Sequence, residues 1–150
     1  MEIRHARPND LPRIRELVRD YVKWIGLDLA FQEIDAEIEG LPGDYAPPRG
    51  VLLVAGNPAA AMIALRPFDA DIAEMKRLYV HPSARGRGLA RQLIEQLMAE
   101  ARALGYREMR LDTLPMMGDA QNLYVALGFR DIPPYYDTPI AGTRFMARML

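Results

Sequence analysis

Between Glu74 and Leu104 the chain runs EMKRLYVHPSARGRGLARQLIEQLMAEARAL, and no other stretch constrains the architecture as much. Ile72 to Val80 reads as a strand, Arg85-Gly86-Arg87-Gly88 as a tight basic turn, and Leu89 to Leu104 as a long amphipathic helix. Leu89, Leu93, Ile94, Leu97, Ala101 and Leu104 form one stripe of that helix, with Gly105 a fitting residue just past its end. The two glycines let the backbone bend with no Cβ in the way. A helix that begins immediately after such a turn presents unpaired N–H groups at the positive end of its dipole. A phosphate is the expected guest, and Arg85 and Arg87 add charge at the same place. The plainer alternative is that Gly86 and Gly88 only make a turn and the arginines are solvated.

The glycine spacing decides against two common phosphate binders. No Gly-Lys-Ser/Thr comes after it, so the turn is not a P-loop, and no third glycine arrives at the dinucleotide-binding spacing. Arg85, Gly88 and Ala90 instead stand at the positions of a Gln/Arg-x-x-Gly-x-Gly/Ala loop, and Ala120-Gln121-Asn122-Leu123-Tyr124-Val125-Ala126-Leu127-Gly128-Phe129 matches an A-x-x-L-Y-x-x-L-G-F element. In order and content the two blocks resemble the acyl-CoA site of the GNAT superfamily of N-acetyltransferases, and the flanking elements extend the resemblance over nearly the whole chain. The resemblance implies an α/β (α+β) GNAT fold. Its central sheet is mixed and mostly antiparallel, flanked by helices, and splayed between the fourth and fifth strands to admit the pantetheine arm. Acetyl-CoA is the implied cosubstrate, gripped by Arg85, Gly86, Arg87, Gly88, Leu89 and Ala90. One position departs from the family: Met117 stands where an asparagine often contacts the cofactor, and Asn122 belongs on a different helical face.

A chain of 150 residues with 50% hydrophobic residues is expected to form one domain, 1–150, with a core that needs neither disulfides nor metal. A net charge of −1 gives no global field to draw the protein onto nucleic acid or an anionic membrane, so neither is expected as a partner. The absence of cysteine excludes disulfides and thiolate chemistry, and with only His5 and His81 as imidazoles no metal site is expected. No apolar run has the length of a signal sequence or membrane span, which points to a soluble, cytoplasmic protein, monomeric or homodimeric.

Pattern alone assigns the other elements. Glu2 to Ala6 reads as a first strand, ended by Pro8, with Asn9 and Asp10 as capping candidates. Leu11, Ile14, Leu17, Val18, Tyr21, Trp24 and Ile25 recur at helical spacing and are expected in the core, with Arg13, Arg15, Glu16, Arg19, Asp20 and Lys23 on a solvated face. Ile34 and Ile38 allow a short second helix. Val51 to Ala55 and Ala60 to Leu65 fit a hairpin around Gly56-Asn57-Pro58, and Pro67 opens a turn into the next strand. Arg107 to Thr113 alternates as a half-buried strand. Ala120, Leu123, Tyr124 and Leu127 share one face of a short helix, and a Pro-Pro-Tyr-Tyr loop leads to a last strand from Thr143 to Leu150.

Acetyl transfer to an amine needs a held thioester, a neutral amine, a stabilised oxyanion and a protonated leaving thiolate, but no protein nucleophile. With a lysine-like pKa near 10.4, roughly one amine in a few thousand is neutral at pH 7. The resemblance makes Glu74 the candidate base, since some members carry a glutamate at this point of the fourth strand. The alternative is a strand carboxylate offset by Lys76 or Arg77. Tyr124 matches the family's tyrosine that protonates the CoA sulfur, against a core aromatic beside Leu123 and Leu127. If the strand ends as in the family, the resemblance implies that the backbone N–H groups of Leu78, Tyr79 and Val80 polarise the acetyl carbonyl. His81, before Pro82, is read as a strand-end residue.

Two functions stay open from sequence: an acetyl-CoA-dependent N-acetyltransferase acting on a primary amine of a small molecule or peptide, and a CoA-binding module that has lost turnover. Trp24 to Pro48 carries Asp28, Glu33, Asp35, Glu37, Glu39 and Asp44 with no Lys or Arg, while Glu74 to Arg110 holds eight basic residues against four acidic ones. Such separation would draw a cationic acceptor to one mouth of a cleft and CoA to the other. The alternative is that the acids merely solvate a helix and loop.

Overall fold

Continuous apolar runs dominate the middle of the chain, and such runs are stable only where a sheet is covered on both faces. The computed structural model describes residues 1–28 and 33–150. Its elements run β1 (Ile3–His5), α1 (Leu11–Ile25), α2 (Ile34–Gly40), β2 (Val51–Ala55), β3 (Ala61–Pro67), β4 (Ile72–Val80), α3 (Leu89–Ala103), β5 (Glu108–Thr113), α4 (Gly118–Ala126), β6 (Arg130–Asp131) and β7 (Arg144–Met149). Among the described residues, the strands form one sheet in the order β1-β2-β3-β4-β5-β7-β6. Every neighbouring pair is antiparallel except β4 and β5, which are parallel.

All five residues of β2 are buried because the strand feeds both faces. Val51, Leu53 and Ala55 join the core under α3 and α4, and Leu52 and Val54 join the core under α1 and α2. In β3, Ala61, Ile63 and Leu65 face the first core and Met62 and Ala64 the second. α3 closes the first face with Leu89, Leu93, Ile94, Leu97 and Ala101, the stripe read from sequence. α1 closes the other with Ile14, Leu17, Val18 and Ile25 and ends at Gly26, whose φ of 70° is left-handed.

Three expectations need correction. Trp24, placed in the core by its spacing, is 50% exposed, because it lies one position past the buried stripe. Asp10 does not cap α1; its carboxylate accepts from the Arg7 N–H at 2.7 Å and from Arg4 Nη1 and Nη2 at 2.6 and 2.9 Å. Pro67 is the last residue of β3 rather than the start of a turn. The two-residue β6 gave no signal, since both of its residues are exposed.

Two irregularities of β4 shape the clefts of the molecule. Its ladder with β5 holds only Ile72↔Glu108, Ala73↔Met109 and Glu74↔Arg110, although β4 continues to Val80 and β5 to Thr113. Beyond Glu74 the strands diverge and the sheet opens. Against β3 the register runs from Ala64↔Lys76 to Met62↔Tyr79, so two β4 residues oppose one, a bulge in which Arg77 has a φ of 59°. The bulge breaks the alternation, and the consecutive side chains of Lys76 and Arg77 both reach the α1–α2 side.

Candidate active site

The opening between β4 and β5 leads into a cavity of about 350 Å³. At one end lies the glycine turn. Gly86 and Gly88 have φ of 81° and 73°, in the left-handed region, and a Cβ built on either meets no protein atom within 4 Å. The space beside them is therefore cleft rather than packed protein. No side chain caps the first turn of α3, so its N–H groups face that space with the positive end of the helix dipole behind them. Arg85 donates from Nε to the Val80 carbonyl at 2.9 Å, and its guanidinium stands 5.7 Å from the Trp24 ring and 5.8 Å from the Tyr79 ring. Arg85, Gly86, Gly88, Leu89 and Ala90 line the cleft; Arg87 is exposed and does not.

Along the cleft wall run Leu78, Tyr79 and Val80. The His81 N–H donates across to Ala60 of the β3 side, so strand alternation turns the N–H groups of Val80 and Leu78 toward the split and that of Tyr79 away from it. The Tyr79 ring packs on the opposite face against Tyr21 and Trp24, with centroids 6.2 and 6.5 Å apart.

Across the split, α4 brings Tyr124 to the same cleft. Its ring packs 5.9 Å from Phe129, while its hydroxyl makes no hydrogen bond to any described residue. No buried side-chain polar atom among the described residues lacks a partner, so this hydroxyl is open to the cleft. Burial, with Tyr21 and Asp112 adding to it, pushes the phenol up and keeps it protonated. The core and site readings of Tyr124 are thus compatible, the ring packing in the core and the oxygen facing the cavity.

A second cavity, of about 530 Å³, lies on the α1–α2 side and is walled by Glu33, Asp44, Arg66, Phe68, Glu74, Tyr135, Tyr136 and Asp137. Lys76 and Arg77 line both cavities and mark where they adjoin. Glu74 belongs to this second cavity. Only 2% exposed, it accepts from Arg66 Nε at 2.8 Å and from the Tyr135 hydroxyl at 2.7 Å. Its counter-charge is therefore Arg66, not Lys76 or Arg77. Lys76 donates to Asp112 Oδ1 at 3.2 Å, and Arg77 donates to Glu37. These two bases, counted from sequence on the phosphate side, are buried against carboxylates instead.

Sequence reasoning missed Asp112, Tyr135, Tyr136, Arg66 and the site role of Trp24. Asp112 reads as a charged neighbour of Leu111 in an alternating strand, and only the missing ladder exposes it to the cleft. The adjacent tyrosines were visible as a pair in a proline-rich tail, but nothing local says that each one grips a carboxylate on a different strand. Tyr136 donates to Asp112 Oδ2 at 2.5 Å.

Residues 11–129 match the model of the acetyltransferase (GNAT) family. The chain belongs to that family. It is 38% identical over 143 residues to an uncharacterized N-acetyltransferase from Schizosaccharomyces pombe, covering 93% of this chain and 88% of that one. Among solved structures, the fold is shared with the PaiA N-acetyltransferase from Thermoplasma acidophilum in complex with coenzyme A, at TM-score 0.77, 21% identity and coverage of 99% and 98%. It is shared too with YncA from Salmonella typhimurium with its cofactor acetyl-CoA, at TM-score 0.70, 21% identity and coverage of 99% and 93%. This GNAT protein is an acyltransferase.

Proposed function

We propose that this GNAT protein transfers the acetyl group of acetyl-CoA directly to a primary amine of a small molecule or peptide. The observation that carries the reading is the meeting, in one cleft, of an uncapped α3 N-terminus and an unpaired, protonated tyrosine hydroxyl. The glycine turn suits the pyrophosphate, with Gly86, Gly88, Leu89 and Ala90 allowing close backbone approach and Arg85 supplying charge. The N–H groups of Leu78 and Val80, turned toward the split, suit the developing oxyanion. Tyr124 is the group that protonates the departing sulfur. Glu74 is the group that first deprotonates the acceptor, because it faces the second cavity and keeps a free lone pair on each oxygen.

The acceptor enters through the second cavity. Its three cations, Arg66, Lys76 and Arg77, are each engaged by a carboxylate, respectively Glu74, Asp112 and Glu37. Glu33, Asp44 and Asp137 are exposed at its rim. The charge left over is negative, which favours a cationic amine.

Incubating the protein with acetyl-CoA and a panel of primary amines, while tracking free thiol, tests the reading. Amine-dependent thiol release, led by cationic acceptors, is the expected result. Acetyl-CoA binding with no thiol release across the panel would overturn it.

A further inference from the structure

Converting an alkylammonium into an amide removes two protons from nitrogen. The first must leave before the nitrogen can attack; Glu74 takes it and it ends in solvent. The second leaves after the C–N bond has formed, and in the balanced reaction it replaces the acetyl group on sulfur. The site contains two buried carboxylates in different settings. Glu74 lines the acceptor cavity and not the cleft that holds Tyr124. Asp112 lines that cleft, while its partner Tyr136 lines the acceptor cavity and its partner Lys76 lines both.

We propose that Asp112 is a second catalytic carboxylate, which takes the proton from nitrogen after attack and returns it to Tyr124. The proposal rests on the acetyl-transfer reading of the site. The amine lone pair forms the C–N bond, and the N–H proton passes to Asp112. The C–S bond breaks with its electron pair on sulfur, Tyr124 gives its proton to that sulfur, and the tyrosinate recovers a proton from Asp112. The protein ends in the protonation state in which it began.

Three features suit Asp112 to this task. Lys76 donates to Oδ1 and Tyr136 to Oδ2, which leaves a lone pair on each oxygen. Burial alone would push the carboxyl up, but the Lys76 charge and the hydrogen bonds from Tyr136 and Lys76, with Arg77 farther off, outweigh it and keep the group ionised. A proton on Asp112 also strips Lys76, itself buried, of its counter-charge, so the proton is held loosely and passed on. The titratable and charged groups around Asp112 are Lys76 and Arg77 of β4, Tyr135 and Tyr136 of the β6–β7 loop, Tyr21 of α1 and Tyr124 of α4.

The two carboxylates separate by acceptor basicity. Asp112→Asn should lower kcat by about 100-fold or more, equally for acceptors with pKa near 6 and near 10, because every acceptor must lose the second proton. Glu74→Gln should harm only the basic acceptors. Asp112→Asn leaves the buried Lys76 without its carboxylate, so the melting temperature should fall, and kcat is compared at a temperature where the variant is folded and its acetyl-CoA affinity stays near wild type. As a readout independent of turnover, carboxyl NMR titration of the ligand-free protein should show the Asp112 pKa raised by about 1 unit or more in Lys76→Met. An Asp112→Asn enzyme keeping more than a tenth of wild-type kcat, a loss that fades with weakly basic acceptors, or a loss matched by weakened acetyl-CoA binding would each overturn the proposal. A wild-type protein that releases no thiol would instead overturn the acetyl-transfer reading itself.

Discussion

Arg77 of β4 and Glu37 of α2 stand 40 residues apart in the chain and are joined by two hydrogen bonds, Nε to Oε2 at 2.7 Å and Nη2 to Oε1 at 3.0 Å. The Tyr45 hydroxyl also donates to Glu37 Oε1, at 2.8 Å. The arginine projects from the β4 bulge, so this pair fastens α2 to the irregular part of the strand. Glu37→Leu would take this carboxylate away from the buried guanidinium and should cost about 3 kcal/mol in denaturant unfolding. Adding Arg77→Met should recover much of that loss. A single mutant as stable as wild type would show that the pair is not what holds α2 in place.

Gly88 has a left-handed φ and open space where a side chain would stand. Gly88→Val should therefore fold with a modest penalty, about 1 to 2 kcal/mol, from the backbone conformation alone. The new side chain would occupy the approach to the α3 N-terminus and should raise the acetyl-CoA Kd more than tenfold in calorimetry. Unchanged affinity in the folded variant would remove the pyrophosphate from this turn.

Because the Tyr124 ring packs and only its oxygen faces the cleft, Tyr124→Phe isolates the hydroxyl. Turnover should fall roughly 100-fold while acetyl-CoA affinity and melting temperature hold. Full activity in the phenylalanine variant would leave Tyr124 a purely packing residue.

Unpaired rim carboxylates act over distances that salt screens, about 10 Å at 0.1 M. The kcat/KM for the best acceptor should fall as ionic strength rises, and the triple variant Glu33→Gln, Asp44→Asn, Asp137→Asn should lose most of that dependence. A preference for anionic acceptors, or a flat salt profile in wild type, would contradict a cationic substrate.

Local pattern was enough to read the sheet-and-helix order, the α3 stripe and the glycine turn, since each is written in residues adjacent in sequence or at fixed spacing. Pairing across the split lay beyond it. Asp112 differs from any other strand carboxylate only because β5 loses its ladder to β4 two residues earlier, after Arg110. Lys76 and Arg77 count from sequence among the bases of the phosphate side; alternation would send two adjacent strand residues to opposite faces, and only the bulge with its positive φ brings both inward. Trp24 was misplaced for the converse reason. A helical stripe has an edge, and a residue on that edge can serve either the core or a neighbouring cleft.

Trp24 is the one tryptophan in the chain, and it stands half exposed on the lining of the cleft beside the Arg85 guanidinium. The protein thus carries its own optical probe. Its indole emission comes from a single position, within the field of the arginine proposed to meet the incoming phosphates, so cosubstrate binding at this turn should change the intrinsic fluorescence without a label.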